Sequence, residues 1–105
     1  MRGLIVALLV GCSTPCERLC DARAAAFEPC LGAWQYQWDE FLAQDAKDYA
    51  NECRAAMRVE EDAASDPELL ILHETCDAFI AAHEAAGGDC DRQWALFEEA
   101  TQTLP

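Results

Sequence analysis

Apolar positions recur along this chain at helical steps of three and four, in four stretches divided by strong punctuation. Behind Thr14-Pro15, a cap followed by proline at the first helical position, Cys16, Leu19, Cys20, Arg23 and Phe27 share one face. Pro29 ends that run, because proline cannot sit in a helix interior. A second helix is expected from Asp45, with Ala46, Tyr49, Ala50, Cys53, Ala56, Met57 and Glu60 on its face, fading in "EEDAASD". Asp66-Pro67-Glu68 opens a third, whose face carries Leu69, Leu72, Cys76, Phe79, Ile80 and His83 and which stops at Gly87-Gly88. Asp89 caps a short fourth helix with Cys90, Trp94 and Phe97. Between the first two lies "LGAWQYQWDEFLAQ", residues 31–44, which follows no period and has room for a short helical turn.

Composition sharpens the fold class. Beyond residue 11 there are one Val, two Ile and 19 Ala, so strand formers are nearly absent while the best helix former abounds. We expect an all-α fold, a small bundle of three to four helices, with no internal repeat and no second domain.

The first residues read differently. Arg2 is a minimal positive n-region, and residues 4–10 form an apolar run of seven, far short of the roughly 20 that span a bilayer. The run ends in Leu9, Val10, Gly11 and Cys12, and this "LVGC" resembles the lipobox of bacterial lipoprotein signals. The resemblance covers about the first thirteen residues. It implies a signal peptide over residues 1–11, cleavage before Cys12, a lipid on the Cys12 thiol, and a single cysteine-rich domain over residues 12–105. Ser13 in place of Asp resembles the pattern exported to the outer membrane of a Gram-negative envelope.

Setting Cys12 aside changes the cysteine arithmetic. Seven cysteines become six, and Cys16, Cys20, Cys30, Cys53, Cys76 and Cys90 can form three disulfides in 15 ways. An exported compartment is where such bridges persist, and a domain this small benefits from staples. Helix geometry prunes the pairings. Cys53 and Cys76 each lie about eleven residues from the turn near Ala64-Ser65, level on an antiparallel hairpin. If they paired, Cys16, Cys20 and Cys30 would be left with poor partners: Cys20 and Cys30 are roughly 15 Å apart along a helix, beyond the usual Cα limit of about 7 Å. The better solution gives Cys16 and Cys20 one each of Cys53 and Cys76 and leaves Cys30 for Cys90. Which of the first two takes Cys53 stays open.

Charge excludes some partners. With Arg2 in the leader, six basic residues face 20 acidic ones, a side-chain charge of −14. Such a surface repels phosphate backbones, so no nucleic-acid partner is expected; cationic partners and divalent ions remain electrostatically compatible. The only histidines, His73 and His83, are expected to pack rather than bind metal, since the nearby cysteines are read as oxidised. Cys20 and Cys30, with nine residues between them, resemble one half of the twin Cys-x9-Cys helical hairpins, but a second half is missing. No Ser-His-Asp arrangement and no Gly-rich phosphate loop is visible, and neighbouring acids such as Glu60-Glu61 and Glu98-Glu99 point to different sides of a helix. No cofactor and no enzymatic activity are expected.

The segment that invites recognition is "AWQYQWDEF". Trp34, Tyr36, Trp38 and Phe41 put four of the nine aromatics into eight residues, at an alternation that fits no helical stripe. Two readings are open: a lid over the open end of the bundle, or a patch that stacks on sugars or grips a protein. The expected function is a lipid-anchored envelope module for protein interaction or structure. The second expectation is a binder of a glycan or divalent cation through the aromatic patch or the acidic faces.

Overall fold

The structure, a computed structural model, describes residues 13–105; the signal peptide expected over residues 1–11 and the lipid site expected at Cys12 lie outside the described residues. Four principal helices follow one another: α1 (Pro15–Phe27), α2 (Ala46–Ala63), α3 (Asp66–Ala86) and α4 (Cys90–Thr103). No strand occurs among the described residues, and the chain is a small disulfide-stapled all-α bundle. The segment between α1 and α2 is more helical than its sequence suggests. A 3-10 turn at Glu28–Cys30 runs into a single α-turn at Leu31–Trp34, and a second 3-10 turn covers Trp38–Phe41.

Each helix starts where a side chain satisfies its free N–H groups. Thr14 and Glu17 form a reciprocal capping box on α1, with Pro15 at the first turn; Ser65 and Glu68 do the same for α3. Asp45 accepts from the Asp48 N–H and Asp89 from the Arg92 N–H at the heads of α2 and α4. Gly87 ends α3 with φ of 53°, a left-handed backbone that glycine adopts without steric cost.

The core is organised around α1, which packs against both α2 and α3. Its register on α2 is written in polar pairs. Thr14 Oγ1 donates to Glu61, Glu17 pairs with Arg58 at 2.6 Å, and Asp21 pairs with Arg54. Each step forward on α1 is matched by the same step backward on α2, the signature of an antiparallel pair. That flank carries Cys20 to Cys53, while Cys16, one turn earlier, reaches α3 instead. The bridges are Cys16–Cys76, Cys20–Cys53 and Cys30–Cys90, with Cα separations of 5.0, 5.7 and 5.4 Å. The geometric pruning therefore holds, and the open choice between Cys16 and Cys20 is resolved.

Two helix faces differ from expectation. On α4 the buried stripe is Gln93, Leu96 and Ala100, continued by Leu104, not Cys90, Trp94 and Phe97. The latter three lie on the neighbouring stripe, half-buried and turned towards the Cys30 end of the bundle. On α2 the buried stripe narrows to Ala50 and Met57, with Cys53 half-buried and Ala56 exposed, because α2 packs chiefly against α1 alone. The face of α1 is as expected: Cys16, Leu19, Cys20, Arg23 and Phe27 are all buried.

The staple between α1 and α2 is directly testable. A non-reducing tryptic map should show peptide 19–23 linked to peptide 48–54 through Cys20 and Cys53. The Cys20→Ser/Cys53→Ser variant, which opens a crosslink between residues 33 apart, should lose roughly 3–4 kcal/mol in urea unfolding followed by circular dichroism. A loss below about 1 kcal/mol would mean that packing, not the crosslink, holds α1 in place.

Candidate functional site

The bundle has two unlike ends. α2 runs from Tyr49 towards Ala63, and α3 returns from Asp66 towards His83, so the α2–α3 turn and the Tyr49/His83 end are opposite poles. The Thr14 contact to Glu61 puts the start of α1 at the turn pole. Phe27, at the far end of α1, therefore lies at the other pole, about 20 Å along a 13-residue helix. Exposed Val59, Leu70 and Ile71 belong to the turn pole.

Phe27 organises the far pole. It is fully buried, and its ring lies 5.3 Å from Phe97, 5.4 Å from Trp34, 5.5 Å from Phe41 and 5.9 Å from Tyr49. Trp94 meets Trp34 and Phe97; Tyr36 meets Phe41 and Trp94; Trp38 meets Phe41 and Tyr49. Eight of the nine aromatics thus form one connected set, and only Phe79 lies in the aliphatic and disulfide core instead. Trp34, Tyr36, Trp38 and Phe41 are brought together as the sequence suggests, and they roof Phe27. The roof is not sealed, since Trp34, Trp38 and Phe41 are half-buried and Tyr36 is exposed. Edge-to-face and offset pairs of this kind add stabilisation beyond the area they bury.

A polar layer separates the two cores. Gln93 Nε2 donates to the His83 carbonyl at 3.0 Å and the Gly87 carbonyl at 2.9 Å, closing the end of α3. Its Oε1 faces His83 Nδ1 and can only accept, so Nδ1 carries the histidine proton. Nε2 of His83 is buried without a partner, as is Nε of Arg23, whose guanidinium carbon stands 6.0 Å from the centre of the Phe97 ring. Burial lowers the pKa of His83, and the Gln93 bond offsets this only in part while the nearby Arg23 charge adds to it. Burial likewise lowers Arg23 and raises Tyr49, each partly relieved by the other. At the turn pole, burial pushes Glu17 up, but bonds from the Thr14 backbone and Arg58 outweigh it and hold the carboxyl below its ordinary range. His73, half-buried, faces Glu61.

Sequence reasoning missed four residues that matter here. Gln93 was legible as the start of the Leu96–Ala100 stripe, but the aromatic side chains beside it drew attention away. Tyr49 was placed on a helix face, though not in the aromatic set. Asp91, in the first turn of α4, borders a recess with Trp34, Tyr36 and Trp94. Leu42 had no signal at all: it sits in the left-handed region with φ of 60° and is 92% exposed.

No protein family, curated protein or solved structure matches the chain. Among the described residues no group of three or more His, Cys, Asp or Glu is placed to hold a metal ion, and no helix is long and apolar enough to cross a membrane. What the far pole offers chemically is aromatic face, one projecting leucine and the carboxylates of Asp39, Glu40 and Asp91.

Acid should weaken the fold in two stages. The folded His83 titrates below its ordinary 6.5, so as pH falls under that value the unfolded chain takes up the proton first and stability drops. The contribution of Glu17 is present above 4.5 and is lost lower, as pH falls through its depressed folded value. Urea midpoints measured from pH 7.5 to 5 should decline for the native chain and flatten in His83→Gln. A native profile as flat as the variant's would mean that His83 accepts its proton in place.

Proposed function

We propose that this chain is a lipid-anchored interaction module of a bacterial envelope, which holds its aromatic pole towards a partner protein. The anchor rests on the lipobox-like "LVGC" and on the even count of cysteines left when Cys12 is set aside. Only Ser13, Thr14 and Pro15 separate Cys12 from the first stapled cysteine, so the head rides close to its membrane with little slack. The aromatic pole is then the membrane-distal one.

The observation that carries the interaction reading is Leu42. A left-handed backbone costs an L-residue on the order of 1–2 kcal/mol, and burial of the side chain does nothing to offset this, since it is 92% exposed. It tips the loop between the Trp38–Phe41 turn and α2, beside a shallow depression where Leu31, Tyr36, Trp38 and Ala43 stand among Gln37, Asp39 and Gln44. The left-handed backbone closes the Trp38–Phe41 turn, with the Leu42 N–H donating to the Asp39 carbonyl and the Ala43 N–H to the Trp38 carbonyl. The residue placed there is an exposed leucine, where glycine would cost less, and an apolar knob beside aromatic rings is what a protein contact uses.

Two experiments test this. Metabolic labelling with palmitate should mark the native chain in membrane fractions, and Cys12→Ser should abolish both label and membrane retention. Leu42→Gly should raise stability by roughly 0.5–1 kcal/mol, because glycine adopts the left-handed backbone freely. With a photo-crosslinking residue at exposed Gln44, discrete adducts in intact cells should weaken when Leu42 becomes glycine. Unchanged adducts alongside the gain in stability would remove Leu42 from any contact surface.

A further inference from the structure

Between the short helical turn and α4 lies a recess of about 260 Å³ walled by Trp34, Tyr36, Trp94 and Asp91. We propose that it binds a small quaternary ammonium group, carried by a free solute. This stands on the recess itself and does not depend on how the chain is anchored.

The walls make a box rather than a stack. Trp34 meets Trp94 at 5.2 Å with their planes 64° apart, and Tyr36 meets the same ring at 5.5 Å and 69°. Edge-to-face pairs leave ring faces turned in different directions beside the recess, and each face is the negative part of an aromatic quadrupole. Asp91 adds a full negative charge at the rim, and its carboxylate forms no ion pair among the described residues.

The lining also says which cation fits. A divalent metal takes six or more oxygen ligands, and one carboxylate falls far short. An ammonium or guanidinium group brings several N–H donors that would need acceptors, whereas an alkylated nitrogen brings none and is satisfied by ring faces and a nearby charge. Sugars need a set of polar partners that three rings and one acid do not supply.

The box is built before any ligand arrives. Trp34 follows Cys30 by four residues and Trp94 follows Cys90 by four, so the Cys30–Cys90 bridge sets the two indoles against each other from matching positions on two helical turns. The Trp34 indole N–H donates to the Cys90 carbonyl at 3.2 Å, which ties that wall to the head of α4. The backbone of Tyr36 is held by its N–H, which donates to the Leu31 carbonyl at 2.9 Å across the left-handed Gln35. Walls crosslinked in this way lose little freedom on binding. The source is a free solute and not a lipid headgroup, because a chain carrying a net charge of −13 is repelled by the anionic lipids of a mixed membrane.

The test uses the full chain with its disulfides intact, followed by tryptophan fluorescence and indole N–H shifts. Tetramethylammonium and choline should bind saturably, and 3,3-dimethyl-1-butanol, the uncharged isostere of choline, should bind roughly tenfold more weakly. Asp91→Asn, at an exposed position in the first turn of α4, should weaken choline about three- to tenfold with the helical circular dichroism unchanged and the melting temperature lowered by at most a few degrees. Cys30→Ser/Cys90→Ser should lose binding while the two bridges of α1 remain. Equal binding of choline and its neutral isostere, no binding of either, or unaltered affinity in Asp91→Asn would each overturn the site. Binding to phosphatidylcholine vesicles without binding of free choline would overturn the assignment to a solute.

Discussion

The constraint on which this fold depends is the seating of α1 between α2 and α3. Cys16, Leu19, Cys20 and Phe27 are fully buried there, so a single 13-residue helix supplies much of what the hairpin packs against. Without it, Met57 on α2 and Leu72 and Phe79 on α3 would lose their common core. Apolar contact alone would let a helix this rich in alanine slide by a turn at small cost. Two bridges on adjacent turns to different helices prevent sliding and rotation together, and the pairs of Glu17 and Asp21 with Arg58 and Arg54 favour the same register.

From that seating the two poles acquire different chemistry. Towards the α2–α3 turn the core is sulfur and aliphatic carbon; beyond Arg23 it becomes aromatic. The boundary holds three buried polar residues, which a core of this size can accommodate only if their bonds are nearly complete. Gln93 achieves this with both its amide groups. His83 leaves its Nε2 without a partner, and Arg23 is a buried cation without a carboxylate partner. Three features oppose the cost of burying it: the face of Phe97, the neighbouring Tyr49 and the negative field of the whole chain. The acidity of the chain thus helps hold a cation inside the bundle.

Much of this was legible in the sequence where helix geometry alone decides. The face of α1 was bounded by Thr14-Pro15 and Pro29, and the Cys30–Cys90 bridge followed by elimination once Cys16 and Cys20 were given to the hairpin. The choice between Cys16 and Cys20 needed charge as well as spacing. Glu17 and Asp21 on one flank of α1 match Arg58 and Arg54 on α2, and that flank carries Cys20. The face of α4 misled because Trp94 and Phe97 are the more conspicuous residues, yet their neighbours Gln93 and Leu96 turn inwards. Rings this large settle at the edge of a small bundle, where other rings can meet them. The exposed, left-handed Leu42 and the Asp91 rim arise from how short turns are closed, which periodicity does not encode.

The distribution of staples also bears on what the aromatic pole can do. An alanine-rich bundle buries little area per helix, and disulfides compensate by restricting the unfolded chain. Two bridges would suffice to fix α1. The third joins the short segment after α1 to the head of α4, and within four residues on either side of it stand the two indoles of the recess. A bridge placed there does little for the aliphatic core, since Cys30 and Cys90 lie outside that cluster. What it fixes is the relative position of Trp34 and Trp94. The rigidity of the molecule is therefore concentrated at two places: where α1 enters the bundle, and where Trp34 meets Trp94.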